Sequence, residues 1–225
     1  MKSILRYLYS IILFFFFCVE VFATEKIKEQ PIQKQKVFQG IYLSADAYAP
    51  VASFFNGGIF GEEASLDVNL WNRLFPVWEV GMMSMDKSFD DCKYTSSGYY
   101  NRLGINYNFI KNQKGADNMF YIGLRYASST LDYKLYDVAI GNNYWNENAV
   151  FDIEKKSVHV GWGEFLVGIR AEMLTDFYMG FSVRYKALLH FYNNQLTSPS
   201  YIPGYGANNE SNWGCTYTVT YKLPF

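Results

Sequence analysis

Apolar and polar residues alternate in eight separate stretches of roughly ten residues, and this period of two constrains the fold more than any other feature of the chain. Side chains on a β-strand point alternately to its two faces, so such a period predicts a strand with one apolar and one polar face. No segment shows a long helical period. The predicted strands cover about 38–48, 62–70, 77–85, 99–109, 119–129, 163–173, 177–188 and 213–223.

The number and length of these strands favour one architecture. An even number of strands with about ten residues each is what an antiparallel bacterial membrane barrel requires. We therefore predict an all-β fold, an eight-stranded antiparallel up-and-down β-barrel that crosses the outer membrane. The predicted connections support it because short ones, at about 71–76, 110–118 and 174–176, alternate with long ones, at about 49–61, 86–98, 130–162 and 189–212. Short turns face the periplasm in such barrels, which predicts that both chain ends lie there.

The first residues have the pattern of an export signal. Lys2 and Arg6 precede an apolar run at residues 7–17, and Ala23 provides a small residue for cleavage. That run is about 11 residues long, whereas a membrane-spanning helix needs about 20. Cys18 is a candidate for lipid attachment, but three phenylalanines precede it where such a motif has small residues. We predict a cleaved signal peptide at 1–23, a periplasmic segment at 24–37 and a barrel domain at 38–225.

The last strand resembles the closing strand by which outer-membrane barrels are recognised during insertion. It ends on an aromatic residue and places five side chains on one face, namely Tyr217, Val219, Tyr221, Leu223 and Phe225. Lipid-facing rings gather at membrane interfaces. Aromatic residues of the apolar faces do fall at predicted periplasmic strand ends: Trp78, Tyr107, Phe109, Phe120, Phe177, Tyr221 and Phe225.

The polar faces predict a charged lumen. The interior of an eight-stranded barrel is just wide enough for its own side chains, so inward charges must neutralise one another. The predicted inward charged residues are Asp46, Glu63, Asp67, Glu79, Arg102, Arg125, Glu164, Arg170, Glu172, Arg184 and Lys186. A structural polar core is the favoured interpretation, and a narrow ion path or small-ligand site is the alternative.

Several motifs together resemble one protein family. They are Gly98-Tyr99-Tyr100 with Gly104–Asn108, Asp117–Tyr126, Glu164–Met173, Tyr178–Lys186, Tyr201–Gly206 and Tyr217–Phe225. In this order they are similar to the domain-of-unknown-function family 6048, whose members look like small Gram-negative outer-membrane barrels. The resemblance implies a fold and a compartment, but no activity and no catalytic residues.

Candidate catalytic residues are few. His159 and His190 fall near predicted outward strand ends, and Ser157, Ser182 and Asp152 are possible partners for general-base chemistry. They define an alternative, an outer-membrane lipid-modifying or proteolytic enzyme, although histidines in exposed loops are more often simply solvated. No residue spacing suits zinc, calcium or a nucleotide phosphate. We therefore predict no catalytic residue, no metal and no cofactor.

Charge and cysteine content narrow the partners. The chain has 20 Lys and Arg residues against 21 Asp and Glu residues, and this balance argues against nucleic acid. Cys92 and Cys215 are too few for a disulfide framework. We expect two unpaired thiols, and a single bridge between them is the alternative.

The connection 130–162 is rich in aromatic residues, and it has two interpretations: a contact surface, or a hairpin that extends strands five and six. We expect a monomeric structural or surface-interaction barrel. Its predicted partners are outer-membrane lipid and the barrel-assembly machinery, with an outward ligand that the sequence does not identify.

Overall fold

The computed structural model describes residues 37–47, 58–89, 92–110, 118–142, 147–192 and 199–224. These residues form ten strands. The strands are β1 (Phe38–Asp46), β2 (Ile59–Leu70), β3 (Leu74–Phe89), β4 (Cys92–Asn108), β5 (Met119–Asn142), β6 (Glu147–Leu174), β7 (Phe177–Tyr192), β8 (Tyr201–Ile202), β9 (Gly206–Ala207) and β10 (Ser211–Lys222). In the described part of the chain, no helix is long and apolar enough to cross a membrane. The predicted signal peptide and most of the segment 24–37 lie outside the described residues.

Eight of the strands form a closed antiparallel barrel in the order β1-β10-β7-β6-β5-β4-β3-β2. Sequence neighbours pair with each other throughout, which is up-and-down topology. β1 and β10 close the barrel with a register that runs from Tyr42 opposite Lys222 to Asp46 opposite Thr218. The predicted eight-stranded antiparallel barrel is confirmed, and each predicted strand corresponds to one barrel strand.

The two ends of the barrel differ. At one end, which we call the turn end, lie the connections 71–73, 109–118 and 175–176 together with the last residues of β10. Trp71 and Asn72 both have positive φ, and the Arg73 N–H donates to the Leu70 carbonyl, as in a type I′ hairpin turn. The short turns are therefore where the sequence placed them.

At the opposite end, which we call the far end, the predicted loops 86–98 and 130–162 are wrong. β3 continues to Phe89 and β4 begins at Cys92, while β5 and β6 together leave only 143–146 as their connection. The physical reason is that the inward positions continue: Tyr94, Leu131 and Tyr133 are buried in a shared interior beyond the predicted strand ends. The interpretation of 130–162 as an extended hairpin is confirmed.

A short two-stranded hairpin lies between β7 and β10. β8 and β9 pair through Tyr201 with Ala207 and through Ile202 with Gly206. We call residues 201–207 the plug hairpin, because Ile202 and Tyr205 are almost completely buried within the barrel's hydrophobic core. The sequence predicted this segment as part of an exposed loop, which is wrong.

Candidate functional site: a filled polar lumen

Six charged side chains meet at the middle of the lumen. The inward positions of β2, β3 and β6 carry Glu63, Glu79 and Glu164, and those of β4, β5 and β7 carry Arg102, Arg125 and Arg184. We call these six residues the central ion cluster. All of their side chains are at least nine-tenths buried, and the three positive charges balance the three negative ones. The central ion cluster therefore carries no net charge.

Glu79 is the carboxylate with the most arginine partners. Its oxygens lie 2.7 Å from Arg184 Nη1, 3.1 Å from Arg125 Nε and 3.2 Å from Arg102 Nη1. Each of these nitrogens donates a hydrogen bond to it. An isolated buried carboxylate carries a desolvation penalty of several kcal/mol. The three arginine donors around Glu79 offset this penalty and thereby fix the position of its carboxylate.

Arg102 and Arg184 connect all three glutamates. Arg102 contacts Glu63 closely and places Nε 2.9 Å from Glu164, although that N–H does not point at the oxygen. Arg184 lies 3.3 Å from Glu164 and 3.4 Å from Glu63. Every carboxylate in the cluster therefore has at least two arginine partners.

Neutral groups complete the hydrogen bonding of the cluster. The Tyr100 hydroxyl donates to Glu63 at 2.8 Å, and the Trp162 indole N–H donates to Glu164 at 2.7 Å. Arg125 Nη2 donates to Asn106 Oδ1 at 2.7 Å. Glu63 and Glu164 thus accept hydrogen bonds from neutral groups as well as from arginines.

The plug hairpin covers the cluster on its far-end side. The Gly204 carbonyl accepts hydrogen bonds from Lys186 Nζ at 2.6 Å and from Arg102 Nη2 at 2.9 Å. Gly204 has φ of 77°, and a Cβ there would lie 2.6 Å from the Tyr100 ring. Only glycine fits this position, because any side chain would push the hairpin away from the tyrosine.

Aromatic and aliphatic side chains hold the plug hairpin from the far-end side. Tyr205 packs edge-on against Trp162 with 5.5 Å between ring centroids. Tyr94 donates to the Tyr201 carbonyl at 3.4 Å, and burial raises the pKa of the Tyr201 phenol. The far end of the lumen is therefore closed by an apolar core and not by charges alone.

A second closure lies toward the turn end. Arg170 Nη1 is 2.8 Å from Asp67, and its guanidinium lies 4.3 Å from the ring centroid of Tyr42, 5.4 Å from Phe75 and 5.9 Å from Tyr178. All three rings are fully buried. We call these five residues the Arg170 cage. Cation–π contacts of this kind stabilise a guanidinium where water is excluded.

Between the central ion cluster and the Arg170 cage lies a cavity of about 40 Å³. Hydroxyl groups line it, among them Ser44, Ser182 and Thr220. Arg170 Nε and Nη2 and Arg184 Nε have no hydrogen-bond partner in the described part of the chain. The volume suits about three water molecules, which would satisfy these donors.

The other predicted lumen residues lie in different places. Asp46 lines the small cavity, and Lys186 binds the plug hairpin. Glu172 is only half-buried near the turn end, where its backbone N–H donates to Asn118 Oδ1 at 2.9 Å. Of the eleven predicted charged residues, Glu172 is thus the one that the structure places away from the ion cluster, the cavity and the plug.

The predicted closing strand is β10 and the two residues after it. Tyr217 and Tyr221 are exposed on the outer face, Val219 is half-buried, and the Leu223 N–H donates to the Ile41 carbonyl at 2.9 Å. Phe225 lies outside the described residues.

The candidate catalytic residues are not brought together. His159 Nδ1 lies 2.9 Å from Thr130 Oγ1, and His190 Nε2 lies 3.4 Å from the Tyr126 hydroxyl, both on the outer surface. Ser182 is buried inside the lumen, on the opposite face of the barrel wall. The side chains of Ser157 and Asp152 lie outside the described residues. Among the side chains that are described, no three His, Cys, Asp or Glu groups could hold a metal ion, and Cys215 is a free, exposed thiol.

Sequence reasoning missed the neutral residues of the lumen. Tyr42, Phe75 and Tyr178 form the cage, and Gly204 and Tyr205 form the tip of the plug. The available signals were Tyr42 and Tyr178 on the polar faces of predicted strands, and a glycine-rich turn with two large apolar neighbours in a predicted loop. Phe75 fell in a predicted connection and gave no such signal. A search for charged residues alone finds neither the aromatic residues nor the glycine-rich turn.

One protein-family model covers almost the whole chain. The model of a domain of unknown function, DUF6048, matches residues 4–225. The chain belongs to the DUF6048 family. No curated protein matches this DUF6048 chain.

Proposed function

We propose that this DUF6048 protein is an outer-membrane barrel with a closed lumen, which acts as a membrane-anchored structural or surface-interaction protein. The observation that carries the proposal is the outer wall. Large apolar side chains are exposed around the barrel, whereas the charged groups of the central ion cluster and the Arg170 cage are buried inside it. The exposed set includes Leu43, Leu66, Trp78, Val80, Leu103, Ile105, Leu124, Phe165, Ile169, Phe181, Val183 and Tyr217. A soluble barrel would place its apolar faces inside, and exposed apolar surface on this scale is typical of a membrane-facing wall.

The spacing of exposed aromatic rings fits a bilayer. Tyr99 and Tyr107 lie eight positions apart on β4, and Trp213 and Tyr221 lie eight apart on β10; all four are exposed. At about 3.3 Å per residue, eight positions span about 26 Å along a strand. With a tilt of about 40° this becomes about 20 Å along the barrel axis, close to the roughly 25 Å apolar band of outer-membrane barrels.

The filled lumen supports a role other than transport. The plug hairpin, the central ion cluster and the Arg170 cage lie one after another along the barrel, and the cavity between the last two has room for only a few waters. This argues against the alternative of a narrow ion or small-ligand path. What the protein offers to its surroundings is therefore its outer wall and the extended β5–β6 hairpin at the far end. We propose that it works as a monomer, inserted by the barrel-assembly machinery and solvated by outer-membrane lipid.

Membrane fractionation tests the location. After an alkaline carbonate wash, we expect the protein to stay in the membrane pellet, and we expect the folded form to run differently on gels before and after boiling. Release of the protein by the wash would contradict the proposal.

Conductance tests the closed lumen. In planar bilayers, the purified protein should give current near background, because eight strands enclose only enough space for their own side chains. A conducting porin measured in the same bilayers is the positive control. Steady porin-like current from the purified protein would show that the lumen is open.

A further inference from the structure

The outer wall has a depression of about 360 Å³ toward the far end. Its lining includes the exposed apolar side chains of Phe60, Met82 and Tyr99, polar groups from Ser84, Ser97, Thr130 and Asp132, and also Met83 and Gly98. Tyr99 is 70% exposed, although it sits in the middle of a well-paired strand. The Tyr99 side chain is therefore accessible beside the depression.

The strand register arranges these residues in two neighbouring rows across the wall. One row runs from Phe60 through Ser84 and Ser97 to Asp132. The next row runs from Met82 through Tyr99 and Thr130 to His159. Because both rows lie on paired strands, the positions of these groups are fixed relative to one another before any ligand binds.

The depression lies where the outer wall changes from apolar to charged. Toward the turn end, the exposed outward positions include Val80 and, one outward position further on, Trp78 and Leu103. Toward the far end lies the exposed ion pair of Asp86 and Lys93, 3.2 Å apart. In the proposed membrane orientation this boundary is the level of the outer-leaflet headgroups, with acyl chains against the apolar wall below it.

The chemistry of the lining favours a sugar headgroup over a phosphate. Hydroxyl groups donate and accept hydrogen bonds, a carboxylate accepts them from sugar hydroxyls, and an exposed tyrosine ring offers an apolar face for a sugar ring. None of the described residues that line the depression is a lysine or arginine, the side chains that phosphate recognition uses. We propose that the wall depression binds the sugar headgroup of an outer-leaflet glycolipid, an inference that rests on the proposed membrane location.

Lipid selectivity in nanodiscs tests the proposal. The full-length protein would be reconstituted with equal amounts of a monoglucosyl diacylglycerol and a phosphatidylglycerol that carry the same acyl chains, and native mass spectrometry would count the lipids that stay bound. We expect the glycolipid to be retained about tenfold over the phospholipid. The phospholipid headgroup lacks the aromatic contact and the hydrogen bonds that a sugar ring makes, and together these are worth about a tenfold difference in affinity. Tyr99→Leu and Asp132→Asn should each reduce this preference.

Two control variants match these changes outside the depression. Tyr217→Leu removes an exposed tyrosine from β10, which is four strands around the barrel from β4, the strand of Tyr99. Asp86→Asn removes an exposed carboxylate that does not line the depression. Both should keep the wild-type preference. Heat-shift on gels shows that each variant is folded.

Each outcome decides a separate point. Equal retention of both lipids, or an unchanged preference in Tyr99→Leu, would overturn the glycolipid site while the membrane location stands. Binding of free methyl glucoside as tightly as the lipid would overturn a lipid source and assign the site to soluble sugars. Failure of the wild-type protein to float with vesicles would overturn the membrane location and the lipid site together.

Discussion

The central ion cluster and the Arg170 cage both bury arginine inside the same barrel, but they stabilise it in different ways. In the cluster, Glu79 contacts three arginines, and Arg102 and Arg184 each contact three glutamates. In the cage, Arg170 contacts one carboxylate, Asp67, and the faces of aromatic rings. The cluster thus distributes charge over many partners, whereas the cage isolates one ion pair. The difference predicts which single changes each region tolerates.

The largest effect is expected from Glu79→Gln. The change keeps the shape of the side chain but leaves three buried arginines with only two glutamates. One positive charge in the cluster is therefore not neutralised by a carboxylate. We expect the free energy of unfolding in detergent micelles to fall by about 3–5 kcal/mol, measured by urea titration. Glu62→Gln, one position from Glu63 but exposed on the outer face of β2, is the matched control and should change it by less than about 0.5 kcal/mol. Equal effects of both variants would mean that Glu79 is not the shared partner of the cluster.

A somewhat smaller effect is expected from Arg170→Leu, because the change leaves Asp67 buried without its arginine partner. We expect a decrease of about 3 kcal/mol, and a second change, Asp67→Asn, should recover more than half of it because the pair is isolated. Urea titration of the two single variants and the double variant measures the coupling. A double variant no more stable than Arg170→Leu would contradict the difference between the two regions, because the cage would then behave as a network rather than as an isolated ion pair.

The smallest effect is expected from Arg125→Leu. The change removes the ion pair with Glu79 and the hydrogen bonds to Asn106 and to the Leu124 carbonyl. It also leaves three glutamates with two arginines, but each glutamate keeps both Arg102 and Arg184 as partners, so no buried carboxylate is left alone. We expect a decrease of about 1–2 kcal/mol, smaller than that of Arg170→Leu in the same titration. A loss as large as that of Arg170→Leu would show that the partners in the cluster do not substitute for one another.

The fold was predictable from the sequence because its signal is local. A period of two in ten residues sets which side chains point inward, and β2 shows this plainly: Asp67 is buried while Leu66 is exposed. The extension of β3 and β4 was not predictable in the same way. Ser96, Ser97, Thr95 and Lys93 are polar on both faces, so no alternation is visible although the strands continue.

The candidate site was predictable only in part, because pairing across a lumen is not local. The sequence placed Glu63 and Arg184 on inward faces, but 121 residues separate them and only the closed barrel brings them to 3.4 Å. The plug hairpin has strands of two residues, which are too short to show any period. Its position depends on Gly204 fitting against Tyr100, 104 positions away in the chain.

The sharing of Arg184 among three glutamates also has a consequence for the order of assembly. Glu63, Glu79 and Glu164 come from β2, β3 and β6, while Arg184 comes from β7, the next-to-last barrel strand in the chain. A sheet of the first six strands holds three of these carboxylates and only two of the arginines, so its inner face keeps an unneutralised charge that favours water over lipid. The central ion cluster becomes neutral only when β7 is added, just before β10 pairs with β1. In the membrane location that we propose, these interior charges would therefore oppose insertion of an incomplete barrel and would link full burial of the sheet to its closure.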